Sequence, residues 1–302
     1  MMNRRRFLAG SLAASATLPV ASSFASAAAP EPILIDSHVH VWKHDPAFPF
    51  AEGAHPPAED AAPETLLGLM KANGVSRTVL IQVIHYRWDN RFVASVLKRY
   101  PQYFKGVCRV NPEDPDAPDH LSTLTEEGFH GVRLSPSAGA DGDWIKGPRM
   151  LPLWQRCAQL KVPMTILTPV TRLPDLVPLI EKNPELTVVI DHMADSPLDE
   201  PKKLEMLMDL ARYPKVFVKI SHMWSLSKQP YPYPDAAVQV KRLYDKFGAG
   251  RLMWGTDWPI CLKQVSYARA VALFRDHLNF MPPADHEEML YKTVQRVWPF
   301  GL

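Results

Sequence analysis

The sequence predicts a distorted (β/α)8 TIM barrel, α/β in class, carried by one domain. Three observations point to it. Short, β-branched, apolar runs recur eight times between residues 33 and 257. Amphipathic helix patterns separate them, the alternation that builds a parallel sheet. No G-x-G-x-x-G or G-x-x-x-x-G-K-[ST] follows any run, which weakens an open nucleotide-binding sheet.

Taken in order, the strand candidates are ILIDSHV (33–39), RTVLIQVI (77–84), FKGVCRV (104–110), FHGVRL (129–134), VPMTIL (162–167), LTVVID (186–191), KVFVKIS (215–221) and RLMWGTD (251–257). Near-continuous apolar runs of this length suit strands buried on both faces. Between the first two, ETLLGLMKANG gathers Leu66, Leu67 and Met70 on one side, with Gly74 as the stop. NRFVASVLKRYP lines up Phe92, Val93, Val96, Leu97 and Tyr100 at helical spacing, and Pro101 ends it. LPLWQRCAQLK, LPDLVPLIEKN, KKLEMLMDLARYP and DAAVQVKRLYDKFG repeat the pattern. Two connections are long. Residues 42–63 follow strand 1, and residues 222–234 (HMWSLSKQPYPYP) follow strand 7. Both belong to the C-terminal face of a barrel, where long loops build sites and lids.

The first residues obey a different grammar. MMNRRRFLAGSLAASATLPVASSFASAAAP has a basic start, an apolar run too short to span a bilayer, and an A-x-A site at Ala25–Ala27. Arg4 and Arg5, followed by Arg6-Phe7-Leu8, resemble a twin-arginine export signal. Residues 1–27 are expected to be that signal, residues 28–302 the barrel domain, and the mature protein periplasmic. Removing 1–27 takes three arginines and no acid, turning the net charge from +2 to −1. With no basic block beyond Arg4–Arg6, nucleic acid is not an expected partner, nor is a membrane once the signal is cleaved. The partner is a small-molecule substrate, and exposed helices permit a homo-oligomer. Thirty prolines, about twice the usual share, punctuate the elements and form no polyproline tract. Cys108, Cys157 and Cys261 are few, far apart and outside any CxxC, so they read as buried small hydrophobes.

Chemistry gathers at the strand ends. Residues i and i+2 of a strand share a face, so His38 and His40 project together, with Asp36 available as a supporting partner. Strand 6 runs into DHMA and places His192 just beyond its apolar stretch. Strand 8 ends in WGTDWP and places Asp257 at its last position. Barrel strands deliver their C-terminal ends to one face, so these residues converge from across the chain. Two or three imidazoles with a carboxylate suit one divalent cation, zinc foremost, with a position left for water.

DSHVHVW, GVRL, VVIDHMA, VFVKIS and LMWGTDWP resemble, in that order, the amidohydrolase superfamily in its amidohydrolase-2 branch. That branch includes sugar lactonases, 4-sulfomuconolactone hydrolase and 2-pyrone-4,6-dicarboxylate lactonase. The resemblance covers nearly the whole mature chain and implies hydrolysis at a carbonyl carbon. It also implies that His38, His40, His192 and Asp257 are the metal set, with Asp257 and His192 catalytic. Two departures stand out. Many relatives carry a histidine after strand 5, where this chain has Thr168. Strand 4 offers Arg133 and no lysine, so a carboxylated-lysine bridge between two metals is absent. The resemblance therefore implies at most one metal, and a metal-free site stays open.

The expected reaction is opening of a lactone or related cyclic ester of a small polar or carboxylated molecule. Asp257 serves as general base, with either a cation or the histidines themselves polarising the carbonyl. Arg133 is a candidate carboxylate ligand or a barrel salt bridge. His222, His85, Trp42 and Trp258 are candidate substrate contacts, and Lys219 alternates inward with Ser221. His44, His55, His120, His277 and His286 read as surface residues. Two rivals remain: a metal-dependent decarboxylase of the same superfamily, and a non-catalytic binding protein.

Overall fold

Eight short parallel strands form a ring in the computed structural model, which describes residues 33–135 and 144–301. The expected signal segment lies outside the described residues. The strands are β1 (Leu34–Val39), β2 (Val75–Ile81), β3 (Phe104–Val107), β4 (Val132–Leu134), β5 (Met164–Ile166), β6 (Val188–Ile190), β7 (Val216–Ile220) and β8 (Leu252–Trp254). β1-β2-β3 form one ladder and β4 to β8 another. Single parallel bridges, Cys108 to Val132 and Val39 to Trp258, join the ladders at both seams. Two seams held this sparingly are what distort the barrel.

Helices follow the strands as the apolar stripes require: α1 (Pro63–Ala72), α2 (Arg91–Arg99), α3 (Ala117–Glu126), α4 (Met150–Leu160), α5 (Leu173–Lys182), α6 (Leu204–Met208), α7 (Met223–Leu226), α8 (Pro234–Phe247), α9 (Tyr267–Asp276), α10 (Pro283–Glu287) and α11 (Thr293–Val297). In α2, Phe92, Val93, Val96 and Leu97 are buried while its remaining residues keep contact with solvent. The stripe thus faces the sheet, as an amphipathic surface helix should.

The barrel interior is a small cluster. Ile35, Val79, Ile81, Val107, Val189 and Met253 meet Val294, Val297 and Trp298 from the C-terminal segment. Trp298 closes the end at which β4 begins, because a Cβ on Gly131 would stand 3.2 Å from its Nε1. At the β1–β8 seam the backbones approach more closely still. A Cβ on Gly255 would stand 2.9 Å from the His38 Cβ, so glycine is needed there.

Most strands are shorter than their apolar runs, and three differences in boundaries stand out. β2 starts at Val75 and ends at Ile81, and Ile84–Tyr86 turns into a 3-10 helix instead of extending the strand. Asp257 lies three residues beyond β8, in the left-handed region at φ 57°. The KKLEMLMDLARYP helix is α-helical only over Leu204–Met208 and tightens to 3-10 over Asp209–Arg212.

Candidate active site

Asp257 has one carboxylate oxygen bonded and one left over. Its Oδ2 accepts from His222 Nε2 at 2.8 Å. Its Oδ1 is buried with no hydrogen-bond partner, although His40 Nε2 and His38 Nε2 stand 3.2 and 3.5 Å away. The two imidazole nitrogens are 3.3 Å apart. These three atoms therefore form a triangle with sides of 3.2 to 3.5 Å. A tetrahedral cation with arms of about 2.0–2.2 Å sets its ligand atoms roughly 3.3–3.6 Å apart. The residues fit a zinc-like ion.

The supporting contacts agree with that fit. His40 Nδ1 donates to the Ile81 carbonyl at 2.7 Å, which leaves its Nε2 lone pair facing the triangle. His38 Nδ1 lies 3.3 Å from Asp191 Oδ1 and 3.1 Å from Lys219 Nζ. Asp36 is not part of the triangle. It accepts from the His38 and Thr256 backbone and from the Thr256 hydroxyl, so it staples β1 to the residues after β8. Burial pushes its carboxyl up to about 7, even against those donors.

His192 joins from β6. Its ring sits 4.5 Å from that of His38, and its Nδ1 is 2.6 Å from Ser221 Oγ. His192, His222 and Asp257 form a second group whose donor atoms lie within 4.8 Å of one another, a looser set than the triangle. His222 bridges two carboxylates, with Nδ1 at 3.0 Å from Asp195 Oδ1 and Nε2 on Asp257. Burial pushes its imidazole down, but the bonds to Asp195 and Asp257 outweigh this and raise it to about 9. Burial also acts to raise Asp257, yet His222 and His40 hold it well below the usual carboxylate range. His38 is lowered to about 3 by burial and by the Lys219 charge. Burial beside His222 and His38 holds His192 well below its usual value.

The backbone here is unusual. His192, Met193, Ala194, Asp195, His222 and Asp257 all have φ between 44° and 61°. Left-handed geometry costs roughly 1–2 kcal/mol per non-glycine residue. Such strain collects at functional sites, where the surrounding structure imposes it. It also aims side chains away from the strand direction that alternation alone predicts.

Beneath the triangle lies a buried charge network, open to the cavity only at Arg133. Asp191 accepts Arg133 Nε at 2.8 Å through Oδ2 and faces Lys219 Nζ at 3.1 Å through Oδ1. Lys219 also stands 5.2 Å from the Trp298 ring centroid. The expected inward turn of Lys219 is thus observed. Asp191, adjacent to His192 in the same IDH triplet, escaped the sequence reading because it looked like a strand end.

A cavity of about 390 Å³ opens over these groups, lined among others by His40, His192, His222, Asp257, Arg133 and His85. Burial, His40 and Lys263 together lower the His85 imidazole. Trp42 and Trp258, expected at the substrate, are buried and border an adjoining outer groove, which shares Pro57, Ile260 and Lys263 with this cavity. Trp42 Nε1 is taken by the Glu59 carbonyl at 2.8 Å, and its ring edges onto His85. The Trp258 carbonyl accepts from His40 N at 2.7 Å. Trp224 supports the His222 ring edge-on at 5.0 Å. His55 is exposed, as expected, yet it borders the cavity, as do Asp195 and Lys263, which drew no notice in the sequence. Thr168 is buried, and Leu167, just past β5, takes the lining position. All three cysteines are buried and unpaired.

Comparison with known proteins matches this geometry to a family. Residues 35–300 match the profile of the Amidohydro_2 family, described as amidohydrolase. An L-fucono-1,5-lactonase from Burkholderia ambifaria is 30% identical over 239 residues, which span 75% of this chain and 80% of that protein. A crystal structure from Pseudomonas putida, provisionally assigned as a 2-pyrone-4,6-dicarboxylic acid hydrolase, is 28% identical. It superposes with a TM-score of 0.78 over 89% of this chain and 98% of that one. An amidohydrolase from Burkholderia multivorans with bound zinc shares the fold, with a TM-score of 0.73 at 21% identity over 88% and 98% of the two chains. The chain belongs to the amidohydrolase family and is a lactonase-like hydrolase of that family.

Proposed function

We propose that this protein opens a lactone, or a related cyclic ester, of a small polar or carboxylated molecule by water attack. Asp257 is the general base. One divalent cation, zinc by its donor set, is held by His38, His40 and Asp257 with His192 beside them. The N-terminal segment directs export by the twin-arginine route, so the reaction takes place in the periplasm. The observation that carries the reading is the buried, unbonded Asp257 Oδ1 facing two imidazole nitrogens.

When bound, the ion lowers the pKa of a water toward about 7 and polarises the carbonyl. The side chains do the rest. Asp257 accepts the water proton as the new C–O bond forms. His192, fixed through Nδ1 by Ser221, turns its other nitrogen to the cavity where the oxyanion develops. The ring C–O bond then breaks, and Asp257 returns its proton to the departing alkoxide. The product is a hydroxy acid, which ionises in water. Arg133, with Nε held by Asp191, borders the cavity and binds a substrate carboxylate.

A second reading has one observation in its favour. Since His40 Nδ1 donates to Ile81, the 3.3 Å contact between the two Nε2 atoms takes its hydrogen from His38. A His38 Nε2–H donor suits direct hydrogen bonding to the carbonyl without an ion.

Two measurements test the proposal on a panel of lactones. Asp257→Asn is expected to lower kcat by about 10³-fold, within the range for general-base loss, while the fold is kept. Elemental analysis after purification without added metal, with chelation and reconstitution, decides the role of the ion. Full activity at under roughly a tenth of an equivalent would leave the direct-histidine version.

A further inference from the structure

The 3-10 turn Ile260–Lys263 hangs from the catalytic carboxylate's own backbone, because Cys261 N donates to the Asp257 carbonyl at 3.0 Å. That tether fixes where Lys263 stands relative to Asp257. Lys263 is exposed and borders the cavity together with His55 and His85, each from a different loop. Among the described residues no carboxylate pairs with it. The two acids that border the same cavity are already engaged, Asp195 with His222 and Asp257 with His222 and the triangle. Glu59 and Asp60 border the adjoining groove with Lys263 but form no ion pair with it, Asp60 being held by His44, so this wall carries an ammonium that no carboxylate pairs. A cleft lined by one sign of charge concentrates ligands of the other. Lys263 also lies near enough to His85 for its charge to act on that imidazole. Arg133 belongs to β4, which is diametrically opposite β8 in an eight-stranded ring.

We propose that Lys263, with His55 and His85, forms an anion subsite across the cavity from Arg133, and that it selects substrates bearing a carboxylate at that end. The inference rests on the lactone reading and sharpens it. The substrate is an anionic lactone, bound at its charged end by a lysine that approaches from the β8 turn. Lys263 is a specificity-determining residue and takes no part in bond making. A lysine suits this position, since a mobile ammonium on a long stem reaches a carboxylate without demanding bidentate geometry.

The test uses a matched pair, γ-butyrolactone-γ-carboxylate and its uncharged carboxamide. The wild-type protein is expected to favour the carboxylate by at least about tenfold in kcat/KM, and Lys263→Met is expected to cut that preference severalfold through KM, leaving the share that Arg133 supplies. Lys263→Glu should lower it further. A preference that neither substitution lowers, or no preference in the wild type, overturns the subsite. Binding separates this outcome from failure of the lactone reading. In an Asp257→Asn background, calorimetry with the same carboxylate should show Kd rising about tenfold or more with Lys263→Met. Equal Kd values, or no binding at all, overturn the subsite. Absence of turnover with retained, Lys263-dependent binding overturns only the lactone reading.

Discussion

His222 lies flat on His192, with ring centroids 3.6 Å apart and planes 2° from parallel. The same ring spans Asp195 and Asp257 through its two nitrogens. A carboxylate only accepts, so both nitrogens donate. The stack and the bridge together fix which oxygen of Asp257 is occupied and which faces His38 and His40. His222 thereby positions Asp257, the base of the proposed reaction.

Replacing His222 by glutamine tests that role. One amide cannot hold Asp195 and Asp257 at once, so Asp257 gains rotational freedom. A fall in kcat of about 10- to 100-fold is expected, with a smaller change in KM. A variant that changes only KM would show that His222 acts as a substrate contact instead.

Lys219 concerns stability more than turnover. Both Lys219 and Asp191 are fully buried, with 3.1 Å between Nζ and Oδ1. Lys219→Met leaves Asp191 with Arg133 and His38 alone. Breaking a buried pair from one side typically costs about 3–5 kcal/mol. Denaturant unfolding should place the loss toward the lower end, because Arg133 still compensates. A loss under about 1 kcal/mol would mean that water reaches Asp191.

The barrel strands were legible because each is apolar, short and followed by a helix with one apolar stripe. α2 shows this well, since its buried residues are those its spacing singles out. His38 and His40 were legible because alternation fixes their side, and His192 and Asp257 because each follows an apolar strand, although left-handed turns carry both past the strand ends. Asp195, Lys263 and the bridging geometry of His222 were not. They depend on left-handed turns and loop paths, which have no periodicity to read. Trp42 and Trp258 meet the same limit: a large aromatic beside a motif signals burial without saying which wall it borders.

His130 gives the pH response a sign. Burial and the neighbouring Lys105, 3.0 Å from Nε2, lower its imidazole to about 4. In the unfolded chain it titrates near 6.5. Between these values the unfolded chain binds more protons, so the stabilisation is complete above about pH 6.5 and is lost as pH falls toward 4. Urea midpoints at pH 7 and pH 5 should therefore differ less in His130→Gln than in the wild type. An equal difference in both proteins would assign the acid response to other groups.

Gly255→Ala probes the seam. The added methyl must displace His38 or β8, and overpacking of this kind costs about 1–3 kcal/mol. Activity should fall along with thermal stability, since His38 is the atom group displaced. Unchanged activity in a destabilised protein would separate seam packing from site geometry.

That seam has a consequence for how the enzyme comes into being. His38 accepts a backbone hydrogen bond from Asp257, and His40 donates one to Trp258, so the two halves of the candidate site are neighbours through the main chain itself. In translation order, however, Asp257 comes more than two hundred residues after His38. A nascent chain holding β1 through β7 has neither Asp257 nor these main-chain bonds. The residues Val294, Val297 and Trp298 that fill the barrel interior are made later still, so the site's two halves meet only as the end of the chain is completed.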